Sequence, residues 1–89
     1  MSIETQCYSE AIEVLCDKRD ETVIAILIDA TMQMADSAYH LQRKYGGKLQ
    51  FYVDEGQLRK KYENIQLSDA VNELASMYIS IVALRWLTQ

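Results

Sequence analysis

His40 is the only histidine in the chain, so acid–base chemistry near neutral pH would run through it, given a carboxylate or nucleophile within reach. Asp36 stands four residues earlier, a spacing that puts both side chains on one face if the segment is helical. Asp29 and Ser37 fall on nearby turns. A histidine beside a helical carboxylate is also a common surface arrangement. No phosphate loop, dinucleotide glycine pattern or nucleophile elbow accompanies this one. Cys7, Cys16 and His40 could hold a metal only by converging from distant positions, without the close ligand spacing of zinc sites. The expectation is a protein that is not an enzyme, with no catalytic residue, no metal and no cofactor.

The two cysteines are too few for a disulfide scaffold. On one helix, nine residues apart, they would lie roughly 13 Å from each other at 1.5 Å rise per residue, beyond the ~7 Å limit for a bridge. They read as reduced, half-buried packing residues of a cytoplasmic protein. Asp29 is more unusual, because an acid inside an apolar run must find a partner or lose its charge. Arg85, the lone base near the C-terminus, would serve if the two segments ran antiparallel.

Charge is segregated along the chain. Residues 1–42 carry eight acids against two bases, and residues 43–61 carry six bases (Arg43, Lys44, Lys48, Arg59, Lys60, Lys61) against two acids. The basic stretch is interleaved with Tyr45, Phe51, Tyr52 and Tyr62, a composition that could combine phosphate contact with base stacking. The net charge of -4 opposes it, since overall acidity weakens attraction to nucleic acid. The acids Glu4, Glu10, Glu13 and Asp17 would instead meet a basic protein partner.

These groups must be positioned by very few elements. The chain has 89 residues, no proline and three glycines, all between positions 46 and 56, so long helices are favoured over a many-turned β fold. Ser2 to Asp17 reads as a first helix capped by Ser2, with Ile3, Cys7, Ala11, Ile12, Val14 and Leu15 at helical spacing. The polar cluster at 17–21 is a turn, with Asp20 as the next cap. Thr22 to Tyr45 then forms a long central helix. Its seam is Ile24, Leu27, Thr31, Met34, Ala38, Leu41 and Tyr45, and a second stripe of Val23, Ile26 and Ala30 leaves its first half without a wet side. Gly46 and Gly47 end it.

A short extended segment near 49–53 follows, packing Phe51 or Tyr52 as a plug. A third helix from Glu55 to about Asn64, capped by Asp54, is short, basic and superficial. The fourth, capped by Ser68, runs from Asp69 to about Leu87. The expected fold is all-α, a single small bundle of about four helices over residues 1–89. The alternative is α+β, with β-branched residues 22–28 and residues 49–53 as the two strands of a βαβ unit. Two strands alone make a marginal sheet.

The N-terminal residues are acidic and broken by polar side chains, unlike a signal or transit peptide. No run approaches the ~20 consecutive apolar residues of a membrane span. Two helices are nonetheless apolar nearly all round, which is more than an 89-residue monomer readily covers. A second copy is the simplest cover, with Met77, Ile81, Leu84, Arg85 and Trp86 at the dimer interface. The sequence therefore reads as a helical homodimer acting as a protein-interaction or regulatory module of the adaptor, inhibitor, immunity or chaperone type. Its protein partner is unidentified, no membrane is involved, and a nucleic-acid-associated module using residues 43–61 is the alternative.

Overall fold

The computed structural model describes residues 2–17, 21–48 and 52–89. It is all-helical, with α1 (Ile3–Cys16), α2 (Val23–Tyr45), α3 (Glu55–Tyr62) and α4 (Leu67–Thr88). Residues 22–28, the first strand of the βαβ alternative, are helical after the Thr22 cap. Of the second strand, residues 49–51, which include Phe51, lie outside the described residues, and Tyr52 and Val53 are irregular. Tyr52 is 86% exposed and plugs nothing.

Local chemistry explains the helix ends. Ser2 Oγ accepts from the Thr5 amide at 3.2 Å, and Asp54 Oδ1 accepts from the Gln57 amide at 3.1 Å, so both expected caps satisfy an amide that the first turn leaves open. Two caps differ from expectation. Asp20 lies outside the described residues, and Thr22 caps α2 instead, its hydroxyl accepting from the Ala25 amide at 3.1 Å. Helix α4 starts two residues earlier than expected, at Leu67; Gln66 is its N-cap and makes no side-chain cap hydrogen bond. The chain leaves α2 through Gly46 at φ 77° and Gly47 at φ 97°, a left-handed region that only glycine enters without strain.

Helix α4 packs against both α1 and α2, and α3 packs on α2. Helices α2 and α4 thus each touch two others, and their mutual packing is the middle of the bundle. Thr31 meets Met77 Sδ at 3.3 Å, and the Tyr45 phenol donates to the Leu87 carbonyl at 2.9 Å. Residue numbers rise together, so α2 and α4 are parallel. The Tyr8 phenol donates to Asn72 Oδ1 at 2.9 Å, and Ile3 and Glu4 from the start of α1 line a groove with residues 79 to 87 near the end of α4, so α1 is antiparallel to α4. The result is a slab of 37 × 36 × 20 Å, about two helix diameters thick.

Ala11 and Leu15 of α1, Ile26, Leu27 and Ala30 of α2, and Ala70, Leu74, Ala75 and Met77 of α4 form the core, with Tyr62 of α3 sealing one side. Four of these are alanines, which allow close helix approach around the fully buried Leu15, Leu27 and Leu74. The apolar first half of α2 is consumed by this packing, since Ile26, Leu27 and Ile28 are all buried. The second half of α4 is not.

That difference follows from length. With Tyr8 opposite Asn72, the antiparallel register brings the start of α1 only about as far as Ile79, whereas α4 continues to Thr88. Nine residues, roughly 13 Å of helix, run on without α1 for cover. By mean hydropathy (1.2 over 18 residues) α4 is also long and apolar enough to cross a membrane, with 28% of that window buried in the fold. The expectation of no spanning run counts unbroken apolar stretches, the best of which Asp29 interrupts; α4 qualifies on mean hydropathy although Asn72, Glu73, Ser76, Ser80 and Arg85 lie along it. The buried part of the window belongs to the core, so a membrane-spanning α4 would dismantle the bundle.

Candidate interaction surface

Where α4 overhangs α1, an apolar groove of about 580 Å³ opens, lined by Ile3, Glu4, Ile79, Val82, Ala83, Trp86 and Leu87. Positions 79, 82, 83 and 86 share one face of α4 because they recur at helical spacing. Trp86 is 72% exposed, and Ile3, Val82 and Leu87 are each more than two-fifths exposed. This exposed apolar patch contains the only tryptophan and is the candidate contact surface of the fold. Glu4 is the only charged residue on the lining.

This face is offset from the one expected. Met77 and Ile81 are buried, at 6% and 4% exposure, and Leu84 is half-buried; the bundle uses these side chains itself. Arg85 and Trp86 are exposed. Ile3, Ile79, Val82, Ala83 and Leu87 were missed, because only the shortness of α1 relative to α4 shows which flank is left bare.

The second half of α4 ends against α2. The Tyr45 phenol takes the Leu87 carbonyl, and Lys44 Nζ donates to the Gln89 carbonyl at 2.6 Å. Two otherwise open carbonyls at the helix end are thus satisfied, one by a cation where the helix dipole favours it. The overhang is held in place on its α2 side while its other flank stays open.

The proposed Asp29 to Arg85 pair does not form. Parallel α2 and α4 put the two residues far apart along the helices, and Asp29 Oδ2 accepts from Gln33 Nε2 at 3.2 Å on the surface. Glu10 of α1 and Asp29 of α2 both face Tyr78 of α4. Burial foremost, and then these two carboxylates, push the Tyr78 phenol above its ordinary pKa. Tyr62 is raised in the same way, by burial and by the charge of Glu73, whose carboxylate accepts from its phenol at 3.3 Å.

Of the four acids assigned to a partner, Glu10, Glu13 and Asp17 follow one another at spacings of three and four and share a stripe on α1. Glu4 stands apart, on the groove. All four are exposed. The six bases divide into two groups. Leu58, Lys61 and Tyr62 surround Thr31 and Met34 near the middle of α2, while Arg43 and Lys44 lie a dozen residues on from Thr31, roughly 18 Å along the helix. Arg59 is paired with Glu55 at 3.0 Å, and Lys61 Nζ lies 5.3 Å from the Tyr62 ring.

His40 Nε2 and Asp36 Oδ2 are 3.5 Å apart, both well exposed, with Tyr39 edge-on to the imidazole at 6.2 Å. Ser37 is buried, so no nucleophile joins the pair. Cys7 and Cys16 are free thiols in unlike settings. Cys7 is fully buried and Cys16 exposed, where both were expected half-buried. Burial, with a contribution from Glu10, raises the Cys7 pKa. Among the described residues no group of three or more His, Cys, Asp or Glu side chains gathers to hold a metal ion.

Comparison with family models, with curated proteins and with solved structures gives no match for this chain.

Proposed function

We propose that this chain is a non-catalytic protein-interaction module of regulatory type, which self-associates through the groove between α1 and the end of α4. It presents the acidic stripe of Glu10, Glu13 and Asp17 to a basic partner. One observation carries the reading: Trp86, Val82, Leu87 and Ile3 lie wet and contiguous in a groove formed where α4 outruns α1. Covering a large apolar side chain is worth roughly 1.5 to 3 kcal/mol, so a few of them suffice to drive association.

Two further features agree with it. The 20 Å thickness of the slab leaves a small interior, so a second copy adds burial that a single chain lacks. Glu10 and Glu13 are exposed along one side of α1, open to a basic surface. The nucleic-acid alternative draws less support from the divided bases, because a phosphate backbone is gripped best by a continuous positive track.

Sedimentation velocity over a range of concentrations tests the association. The chain mass is 10.3 kDa, and the weight-average mass should climb toward twice that value as concentration rises. A mass fixed at 10.3 kDa up to the highest concentrations reached would overturn the proposal.

A further inference from the structure

Self-association leaves the arrangement of the two copies open, and the row on α4 that lines the groove, exposed at Val82, Ala83 and Trp86 and half-buried at Ile79, constrains it. Ile79, Val82, Ala83 and Trp86 are spaced three, one and three residues apart, a pattern symmetric about the midpoint of Val82 and Ala83. A row of that kind matches itself when reversed. In an antiparallel pair, residues whose numbers sum to 165 face each other, so Trp86 meets Ile79 of the other copy and Val82 meets Ala83. The largest side chain then falls on the end of the groove that α1 closes, beside Ile3. In a parallel pair the two indoles would collide, and both Ile79 to Ile3 pockets would stay empty.

The helix lengths favour the same arrangement. Helix α1 is antiparallel to α4 and stops near Ile79; an antiparallel copy of α4 would continue along the line that α1 vacates. Its C-terminal carbonyl end would then face the N-terminal amide end of α1, opposite ends of two helix dipoles. Charge agrees as well. The one charged group on the groove is the anionic Glu4, and between Leu74 and Thr88 the one charged residue of α4 is Arg85. Neither forms an ion pair with another described residue. Each copy thus carries an acid on the groove and a base one residue before Trp86, which a two-fold pairing can set against each other.

We propose that two copies of this chain pair antiparallel along the C-terminal half of α4 about a two-fold axis between Val82 and Ala83, each Trp86 seated against Ile3 and Ile79 of the other. This rests on the self-association proposed above and specifies its geometry.

Cysteine cross-linking in a Cys16→Ser background tests it, using the full-length chain under mild oxidation. Ala83→Cys lies beside the axis and should be captured as a disulfide-linked dimer. Leu87→Cys should stay largely unlinked: its counterpart would be about 13 Å away along the paired helices, nine residues at 1.5 Å, beyond the ~7 Å reach of a bridge. Efficient linkage at Leu87→Cys, with or without linkage at Ala83→Cys, would mean a parallel pair and would overturn the geometry while leaving self-association standing. A dimeric mass in sedimentation with neither variant linked would overturn it too, moving the interface elsewhere. A monomeric mass with no linkage at either position would remove both proposals. As a second arm, Glu4→Arg and Arg85→Glu should each weaken association at least several-fold, and their combination should recover most of it. A double variant no better than the weaker single would count against the antiparallel seat.

Discussion

Replacing Trp86 with alanine separates an interface residue from a core residue by its effect on two quantities. A tryptophan buries up to about 250 Å², and Trp86 is 72% exposed, so about 180 Å² of it is still wet in the single chain. Covering half of that area in a dimer is worth about 2 kcal/mol at ~25 cal/mol per Å². An isologous interface counts the loss twice, so Trp86→Ala should weaken dimerisation by about 4 kcal/mol, on the order of 10³-fold in Kd. Fold stability, measured by urea denaturation under conditions where the chain is monomeric, should change by no more than about 0.5 kcal/mol, as for an ordinary surface site. Ile81→Ala should do the reverse. Its side chain is 4% exposed, so it should cost the monomer about 2 to 5 kcal/mol by opening a cavity. Sedimentation equilibrium and urea titration on both variants measure the four numbers. A Trp86→Ala variant that dimerises within about threefold of the parent, or loses stability like a core variant, would refute the reasoning.

Three other outcomes follow from the fold. Gln66 starts α4 without a side-chain cap, so Gln66→Ser should raise stability by about 0.5 to 1 kcal/mol, read as a few degrees in Tm. Exposed Cys16 should react at once with a thiol reagent and buried Cys7 only as the bundle opens, so that the slower phase tracks global unfolding; two equally fast phases would contradict the packing of α1. The phenols of Tyr62 and Tyr78 are held above their ordinary pKa, so the folded chain keeps protons that the unfolded chain releases above pH of about 10. Stability should be full below that pH and fall as pH rises through the folded-state values, and Tyr78→Phe should flatten the decline in denaturation midpoints measured across that range.

Much of the fold was legible because local chemistry agreed with the hydrophobic pattern. The absence of proline, the glycines at 46 and 47, and the caps at Ser2 and Asp54 marked helices that form where expected. The start of α2 could be confused with a strand, since Val23, Ile24 and Ile26 are β-branched, and tertiary packing around Leu27 decides in favour of helix. What the sequence could not reveal was which helices touch. An Asp29 to Arg85 pair was open only on the condition that α2 and α4 ran antiparallel, and the parallel arrangement forbids it. The bare flank of α4 was recognised as apolar, but its position was off by a fraction of a turn. Met77 and Ile81 look as exposed in the sequence as Ile79 and Val82 until α1 and α2 are placed on either side. The acidic residues of α1 were visible as a group, yet only helical geometry separates Glu4, on the groove, from the stripe of Glu10, Glu13 and Asp17.

The most direct measurement uses the reporter the chain already carries. Trp86 is its only tryptophan and is largely exposed in the single copy, so its fluorescence reads occupancy of the groove without any substitution. In a dilution series the emission should be that of a shielded indole at high concentration and shift to the red as the dimer falls apart, with the same midpoint as the mass measured by sedimentation. Water-exposed emission at every concentration would contradict the account, as would shielding that appears only when lipid vesicles are added.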